Sequence, residues 1–438
     1  MLSGENQKNP VKIGLLGCGT VGSGVVLLLR ENGEHIAQRL GRNITIAKVL
    51  DKDFEKVKQL GVDPNIITSD FQQILNDPEI EIIVEVMGGI EPARSFILEA
   101  LRNGKNVVTA NKDLIAQSGR ELFATAQQFQ RDLYFEASVG GGIPVIAALK
   151  QSLAANKIES VSGIVNGTTN YILSKMSRDG EDYQFALSEA QRLGYAEADP
   201  SSDVGGHDAA RKISILASIA FGARVTYSDV FVEGIEKISA LDISYGNELG
   251  YVLKLLAIAK LDNDEIDVRV HPAFIPSHHP LAAVGEVFNG ILIQGNFVGD
   301  IMLYGRGAGQ RPTASAIVSD VMEVARNIQY GDTGRISCTC YADLKIKAFS
   351  DTHSKYYIRL LAQDKPGVLA GIAGAFGRNL VSLASVIQKR NYQEKAEIVL
   401  VTHTVREGNI QTALQELIGM DIVAEISNVI RVEGEDGR

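Results

Sequence analysis

The stretch VKIGLLGCGTVGSGVVLLL, residues 11–29, decides the fold of the first part of the chain. It begins with an apolar run that is typical of a buried parallel strand and continues into a helical pattern. The turn between them consists of Gly17, Cys18, Gly19, Thr20, Val21 and Gly22. An ordinary strand–helix turn is one interpretation. A dinucleotide-binding turn is the other, in which the first glycine makes the turn, the second admits a pyrophosphate, the third allows close packing, and the helix start supplies N–H groups. The strand before and the helix after favour the second.

A second strand, ITIAKVL at residues 44–50, ends at Asp51 and Lys52. An acid at this point often binds the adenosine ribose and would favour NAD, whereas a lysine would accept the extra phosphate of NADP. The connection between the first helix and this strand is longer than usual for a ribose-binding acid. A solvated loop of charged residues at this point is therefore the alternative. The sequence leaves NAD and NADP both open.

Strand and helix patterns continue to alternate as far as residue 145, which predicts an α/β fold with a doubly wound parallel sheet. Ligands bind at the carboxyl ends of such strands, where Gly88, Gly89, Thr109 and Lys112 fall. A lysine at a helix start is disfavoured by the helix dipole. We therefore expect Lys112 to point into the ligand cleft.

The composition limits the class of protein. A length of 438 residues predicts two to four domains, and 45% hydrophobic with 22% charged residues is typical of a core-forming protein. A formal net charge of −10 argues against nucleic-acid binding. No apolar run reaches membrane-spanning length and the first residues lack a signal-peptide pattern, so we expect no membrane association and a cytoplasmic location.

The three cysteines, Cys18, Cys338 and Cys340, are too few for a disulfide framework or a zinc site. We expect three small, reduced and partly buried side chains.

The segment FEASVGGGIP, residues 135–144, is rich in glycine. A tight loop is one interpretation. The other is a site for a hard cation, whose ligands would be the backbone carbonyl oxygens around Glu136, Val139, Gly141 and Ile143.

The stretch GYAEADPSSDVGGHDAARK, residues 194–212, places several acids beside a lysine. Asp208 and Lys212 are four apart on a predicted helix and therefore share one face. A surface ion pair worth about 0.3–0.5 kcal/mol would explain these two residues, but not Glu197 and Asp203 upstream. A pocket for a zwitterionic substrate explains more, with acids binding an ammonium and a lysine exchanging a proton. We assign His207 to packing or to the surface.

These motifs occur in the order found in homoserine dehydrogenases, which the chain resembles over about residues 10–335. The motifs are GLLGCGTVGSG, TANK, FEASVGGGIP, NGTTNYIL, GYAEADPSSDVGGHDAARK and GAGQRPTASAIVSD. The resemblance implies NAD(P)-linked interconversion of L-aspartate 4-semialdehyde and L-homoserine, in the biosynthesis of threonine, methionine and isoleucine. It also implies a mixed-sheet α+β catalytic and dimerisation domain, and a homodimer or homotetramer.

The resemblance also implies roles for single residues. Lys212 resembles the proton donor and acceptor, and Lys112 resembles a second active-site lysine. Glu197 and Asp208 resemble ligands of the substrate's polar groups, and Asp203 helps to order the pocket. Gly194 and Gly309 match positions beside the nicotinamide. The segment at 135–144 resembles a sodium-binding loop.

The last part of the chain predicts a βαββαβ order, which suits a small ferredoxin-like domain. DKPGVLAGIAGAF followed by NLVSLASVIQ resembles an ACT domain, a regulatory module that binds amino acids. Its ligand, expected from the pathway to be threonine, would lie near Gly367, Val368 and Leu369. An oligomerisation module without a ligand is the alternative.

We therefore predict four regions. They are a nucleotide-binding domain at 1–150 completed by a helix within 312–335, a catalytic domain at 151–311, a linker at 336–354 and an ACT domain at 355–433. A sensor that has lost catalysis is disfavoured by the two lysines and their acids. A phosphorylating semialdehyde dehydrogenase is disfavoured because no cysteine is placed to attack a substrate.

Overall fold

The computed structural model describes residues 9–335, 338–392 and 395–434. The chain forms two compact units. The first unit comprises Met1–Ile158, Ser214–Tyr227 and Gly295–Asp343, and the second comprises Glu159–Ile213, Ser228–Gln294 and Leu344–Arg438. Within the described ranges, none of the helices combines the length and apolar character needed to cross a membrane.

The N-terminal part alternates strands and helices, as the sequence predicts. Its elements are β1 (Val11–Leu16), α1 (Thr20–Leu40), β2 (Ile44–Leu50), α2 (Phe54–Gln59), β3 (Ile67–Thr68), α3 (Gln72–Leu75), β4 (Ile80–Glu85), α4 (Ala93–Arg102), β5 (Asn106–Thr109), α5 (Lys112–Gln128), β6 (Leu133–Tyr134) and α6 (Val145–Ala147). The strands pair in parallel in the order β3-β2-β1-β4-β5-β6. The order reverses between β1 and β4, so a crevice opens at their carboxyl ends. The predicted doubly wound sheet is confirmed.

The middle of the chain supplies elements to both units. They are β7 (Ile158–Ile164), α7 (Gly167–Asp179), α8 (Tyr183–Arg192), α9 (Ser201–Val204), α10 (His207–Phe221), β8 (Phe231–Val232), α11 (Ala240–Glu248), β9 (Tyr251–Asp262), β10 (Glu265–Pro276), β11 (Phe288–Gly295), β12 (Gly299–Arg306) and α12 (Gln310–Tyr330). Helix α12 packs on α1 in the first unit, where Gln310 Nε2 donates to Ser23 Oγ at 2.8 Å. Ala314 and Ile317 of α12 share an apolar core with Val25 of α1.

The C-terminal part has the predicted βαββαβ order. Its elements are β13 (Lys345–Ile346), β14 (His353–Gln363), α13 (Val368–Arg378), β15 (Leu383–Tyr392), β16 (Lys395–Thr402), β17 (Val405–Arg406), α14 (Glu407–Ile418) and β18 (Val423–Val432). The strands lie in the order β18-β14-β16-β15. Buried Ile358, Leu360, Ile372, Phe376 and Leu414 join both helices to the sheet. The ferredoxin-like fold is therefore confirmed.

The mixed sheet of the second unit runs through both of its halves. Its strands follow the order β11-β7-β9-β10-β18-β14-β16-β15. Strands β9 and β10 form a long antiparallel hairpin, and β10 continues into the C-terminal sheet by pairing Ala273 with Arg431 and Phe274 with Val432. The sequence does not predict this junction, because so short a parallel pairing leaves no periodic pattern.

Candidate active site

The glycine loop after β1 has the geometry of a phosphate-binding turn. Gly17 adopts a φ of 93°, and a Cβ on Gly22 would lie 2.1 Å from the Gly17 carbonyl oxygen, so both positions require glycine. A Cβ on Gly19 would meet nothing within 4 Å. Gly19 also precedes helix α1 and has no side chain to cap its amides. The open space and these N–H groups fit a dinucleotide pyrophosphate.

Asp51 and Lys52 differ sharply in their surroundings. One carboxylate oxygen of Asp51 accepts from Cys18 N at 2.6 Å, and the other accepts from Asp53 N at 2.9 Å. Asp51 therefore ties the end of β2 to the glycine loop. Lys52 is exposed.

Glu85, at the end of β4, is a residue that the sequence interpretation missed. It is fully buried, and its carboxylate accepts from Met87 N at 2.8 Å, from Gly88 N at 3.3 Å and from Thr109 Oγ1 at 2.6 Å. Burial raises the pKa of Glu85. This side chain holds two of the predicted cofactor residues in place. Its only sequence signal is an acid within an apolar strand.

The loops after β4 and β5 are also joined. Asn111 Nδ2 donates to Gly89 O at 2.6 Å, and Asn111 Oδ1 accepts from Leu114 N at 3.1 Å, capping helix α5. Gly88 and Gly89 have φ values of 76° and 71° and are exposed. Lys112, the first residue of α5, is half-buried.

The second unit contains a buried cluster around Lys212. On α10, Lys212 Nζ lies 2.6 Å from Asp208 Oδ2, and the two residues are 8% and 5% exposed. Lys212 Nζ also donates to Val165 O at 2.8 Å. The pair is therefore buried, and the interpretation as a surface ion pair is wrong.

Asn166 completes this cluster and was also missed. Its Nδ2 donates to Asp203 Oδ1 and to Asp208 Oδ2, each at 2.8 Å, and its Oδ1 accepts from Thr169 N at 2.9 Å. The sequence predicts an Asn-Gly turn at this point and a helix from Thr168 or Thr169. Instead, Asn166 is the N-cap of α7, which begins at Gly167. Asparagine is as strongly favoured at helix N-caps as in turns, so sequence alone does not separate the two.

The other residues predicted for the substrate and cofactor are placed as follows. Burial raises the pKa of Asp203. Glu197 is exposed and, among the described residues, the cluster's hydrogen bonds do not reach its carboxylate. Gly194 and Gly309 have positive φ values of 75° and 117° and are exposed. Gly309 precedes α12 in the first unit, whereas Gly194 belongs to the second.

The segment at 135–144 is a buried, irregular turn in the first unit. Glu136 is 5% exposed, and its two carboxylate oxygens accept from Ile146 N and Ala147 N, each at 2.7 Å. Gly141 has a φ of 54°, and a Cβ there would lie 2.5 Å from Gly307 O. Burial raises the pKa of Glu136. Both predictions for this segment, a tight loop and a set of oxygen donors, are compatible with this geometry.

Family models match three parts of the chain. Residues 17–136 match the NAD binding domain of homoserine dehydrogenase, residues 144–322 match homoserine dehydrogenase, and residues 356–419 match the ACT domain. Together these matches cover the glycine loop, the Lys212 cluster and the C-terminal fold.

Named relatives match almost the full length. The chain is 48% identical to homoserine dehydrogenase of Synechocystis over 431 residues, which covers 96% of this chain and 99% of the relative. It is 42% identical to the Bacillus subtilis homoserine dehydrogenase, with 97% and 98% covered.

Solved structures agree. A homoserine dehydrogenase from Thiobacillus denitrificans superposes with a TM-score of 0.92 at 41% identity, covering 97% of this chain and 98% of that one. A hyperthermophilic archaeal homoserine dehydrogenase, solved in complex with NADPH, has a TM-score of 0.62 at 27% identity and covers 72% of this chain and 97% of its own. With its NAD-binding fold, its buried lysine–acid cluster and these relatives, the chain belongs to the homoserine dehydrogenase family.

Proposed function

We propose that Lys212 gives and takes the proton in the NAD(P)-dependent interconversion of L-aspartate 4-semialdehyde and L-homoserine that this family performs. The buried 2.6 Å pair of Lys212 and Asp208 is the observation that carries the proposal. Two acceptors, Asp208 Oδ2 and Val165 O, fix the position of the lysine amine. A fixed amine is what general acid–base catalysis requires.

The proton moves with the charge on the substrate oxygen. In reduction, the Lys212 ammonium stabilises the negative charge that develops on the carbonyl oxygen and then donates its proton. In oxidation, the neutral amine removes the hydroxyl proton. Asp208 stabilises the ammonium form between turnovers. The family resemblance assigns Lys112 as a second active-site lysine.

The acids select an amino-acid substrate. Asp208 and Glu197 bind the ammonium and hydroxyl groups of homoserine, and Asp203 orders the pocket through Asn166. Because Glu197 is exposed in this structure, its role depends on a substrate that brings the carboxylate into contact.

The cofactor is held at the carboxyl ends of β1, β4 and β5. Gly17, Gly19, Thr20, Val21 and Gly22 face the pyrophosphate, and Gly88, Gly89, Thr109, Lys112 and Gly309 complete the part of the site that belongs to the first unit. The family resemblance assigns Gly194 to the nicotinamide end of the cofactor. The bound NAD(P) supplies or accepts the hydride. Lys52 is exposed and is the candidate for a 2′-phosphate. Asp51 is the candidate for ribose hydroxyls, which would share its carboxylate with the amides of Cys18 and Asp53. Both NAD and NADP are therefore proposed as cofactors.

A monovalent cation, sodium, is proposed at the turn formed by 135–144. Glu136, Val139, Gly141 and Ile143 contribute backbone carbonyl oxygens. Support comes from the burial of these four residues within an irregular turn. Initial rates in sodium and in choline chloride at equal ionic strength test this: equal rates would remove the cation.

Regulation by an amino acid, with threonine as the expected effector, is proposed at the ACT fold. Gly367 caps α13 with a φ of 88°, Val368 is buried, and Leu369 is 49% exposed. A buried network links this fold to α11, since Arg359 Nε donates to Asp242 Oδ1 at 2.6 Å. Threonine should inhibit the wild type and should inhibit Leu369→Asp less. No inhibition of the wild type would favour an oligomerisation module.

We also propose a homodimer or homotetramer in the cytoplasm. Phe297 is 90% exposed and Tyr304 is 56% exposed on neighbouring strands or their turn, which favours a covered surface in an assembly. Light scattering on the purified protein measures the assembly, and cell fractionation measures the location. A monomer would contradict the first proposal.

The central experiment is oxidation of L-homoserine with NAD and with NADP by the wild type, Lys212→Met and Lys237→Met. Lys237 is an exposed lysine of the same unit and serves as the matched control. We expect kcat to fall about 10²–10⁴-fold in Lys212→Met and to stay unchanged in Lys237→Met. Full activity of folded Lys212→Met would remove the assignment while leaving the family intact.

A further inference from the structure

A small cavity in the first unit contains chemistry that the dehydrogenase reaction does not use. Its volume is about 30 Å³, and its polar lining consists of Lys150, Ser218, Arg224, Thr339 and two cysteines, Cys338 and Cys340. Apolar side chains from α5 and from the C-terminal half of α10 close the rest of the wall. A water molecule needs roughly 10–15 Å³ by this kind of measure, so the enclosed space accommodates a water-sized molecule. Cys338 and Cys340 are only half-buried, so larger reagents can reach them from the solvent.

Cys338 is surrounded by donors and cations. Arg224 Nη2 lies 3.7 Å from Cys338 Sγ, within hydrogen-bond distance for sulfur. The thiol and the backbone amide of Cys340 also donate to Cys338. These hydrogen bonds, followed by the charges of Arg224 and Lys150, lower the pKa of Cys338, whereas the hydrogen bond to Cys338 and burial raise the pKa of Cys340. Cys338 is therefore the more readily ionised of the two thiols.

Lys150 and Arg224 contribute differently to this charge balance. Lys150 Nζ lies 5.5 Å from the centre of the Phe135 ring, and burial lowers its pKa. Arg224 instead directs its guanidinium at the Cys338 sulfur. Of the two cations, Arg224 contributes more than Lys150 to lowering the pKa of Cys338.

Cys18 provides an internal contrast. It is fully buried, and burial followed by the nearby Asp51 carboxylate raises its pKa to about 11. The thiolate, not the thiol, is the nucleophile in cysteine chemistry. The three cysteines of the chain are thus not equivalent, a difference that the expectation of three small, reduced and partly buried side chains does not include.

We propose that Cys338 is a modification site for hydrogen peroxide, with Cys340 as its resolving thiol. The cavity admits a molecule of that size, and Arg224 stabilises the anion that attacks. In the first step the sulfur–oxygen bond forms and the peroxide O–O bond breaks. The sulfur is oxidised to sulfenic acid, peroxide is reduced, and the departing hydroxide becomes water by taking a solvent proton.

Cys340 completes the reaction. Its sulfur attacks the sulfenic sulfur, a disulfide forms, and the S–O bond breaks. The thiol proton leaves with the hydroxyl group as water, so no further oxidant is required.

Peroxide treatment followed by intact mass and peptide mapping tests the proposal. We expect the full-length wild type to lose about 2 Da in a Cys338–Cys340 disulfide that dithiothreitol reverses. Cys340→Ser should accumulate a sulfenic acid at Cys338 that dimedone captures, and Cys338→Ser should not react. Arg224→Gln should slow the reaction by tenfold or more.

Iodoacetamide labelling of the untreated wild type at pH 6 supplies a second measurement that needs no variant. Cys338 should be labelled at least tenfold faster than Cys18 and Cys340. The proposal is overturned if Cys338 labels no faster than Cys18, or if peroxide oxidises Cys338→Ser as fast as the wild type.

Discussion

The glycine loop of the first unit and the Lys212 cluster of the second unit differ in the chemical groups from which they are built. The loop relies on backbone, since Gly17, Gly19 and Gly22 create a turn, an open space and a set of helix amides. The cluster relies on side chains, since Asn166 and Lys212 connect three separate segments by hydrogen bonds. Backbone suits the recognition of a phosphate, whereas a proton transfer needs an ionisable group at a fixed point.

The comparison also explains which part of each region can be predicted from sequence. A backbone turn is encoded locally, so the glycine spacing within a strand–helix context was sufficient to predict it. Asn166 is about forty positions before Asp208 and Lys212 in the chain, and an Asn-Gly pair has several structural meanings. Glu85 was missed for a similar reason: its partners lie on two loops that only the sheet order brings together. The i, i+4 spacing of Asp208 and Lys212, in contrast, predicts that the two side chains pair. It does not predict that the pair is buried.

Among the variants that test this difference between the two regions, Asn166→Ala should lower kcat strongly. The variant removes a donor shared by two carboxylates. Hydrogen bonds to charged groups are worth about 1.5–3 kcal/mol each, so kcat should fall at least about 100-fold. The cofactor KM should change little. Because Asn166 also caps α7, the melting temperature should fall as well.

Asp182→Ala is the matched control for this loss of a cap. Asp182 caps α8 by accepting from Phe185 N at 2.8 Å and is exposed. It should lower the melting temperature to a similar extent and leave kcat unchanged. If both variants lose kcat equally, Asn166 acts only through helix stability.

A smaller effect is expected from Gly22→Ala. Its Cβ would overlap the Gly17 carbonyl oxygen, and relieving such an overlap typically costs about 1–3 kcal/mol, so cofactor affinity should fall about 10- to 100-fold. Gly33→Ala in the same helix α1 meets nothing within 4 Å and should bind cofactor normally with slightly higher stability. Fluorescence titration with NADPH and NADH measures both; equal affinities would contradict the backbone account.

The smallest effect is on stability and concerns Asp203→Asn. Burial raises the pKa of the Asp203 carboxyl above its ordinary value of 3.8. In the wild type, the protonated carboxyl therefore stabilises the folded state fully below pH 3.8, and this stabilisation is lost as pH rises through the folded-state pKa. The variant cannot ionise and keeps an oxygen for Asn166. Its melting temperature should therefore exceed that of the wild type by a small margin at pH 7, and the difference should vanish near pH 3.5. If the difference in melting temperature instead grows as pH falls, burial does not raise the pKa of Asp203 and this explanation is wrong.

The central claim is that the glycine loop binds the cofactor and the Lys212 cluster transfers the proton. Its most direct test is single-turnover oxidation of L-homoserine, with cofactor affinity measured on the same samples. Lys212→Met should bind NAD(P) as tightly as the wild type and transfer hydride at least 100-fold more slowly. Gly19→Ala should bind the cofactor weakly but, once saturated, transfer hydride within about tenfold of the wild-type rate. Hydride transfer at the wild-type rate in Lys212→Met, or its loss in saturated Gly19→Ala, would contradict the account.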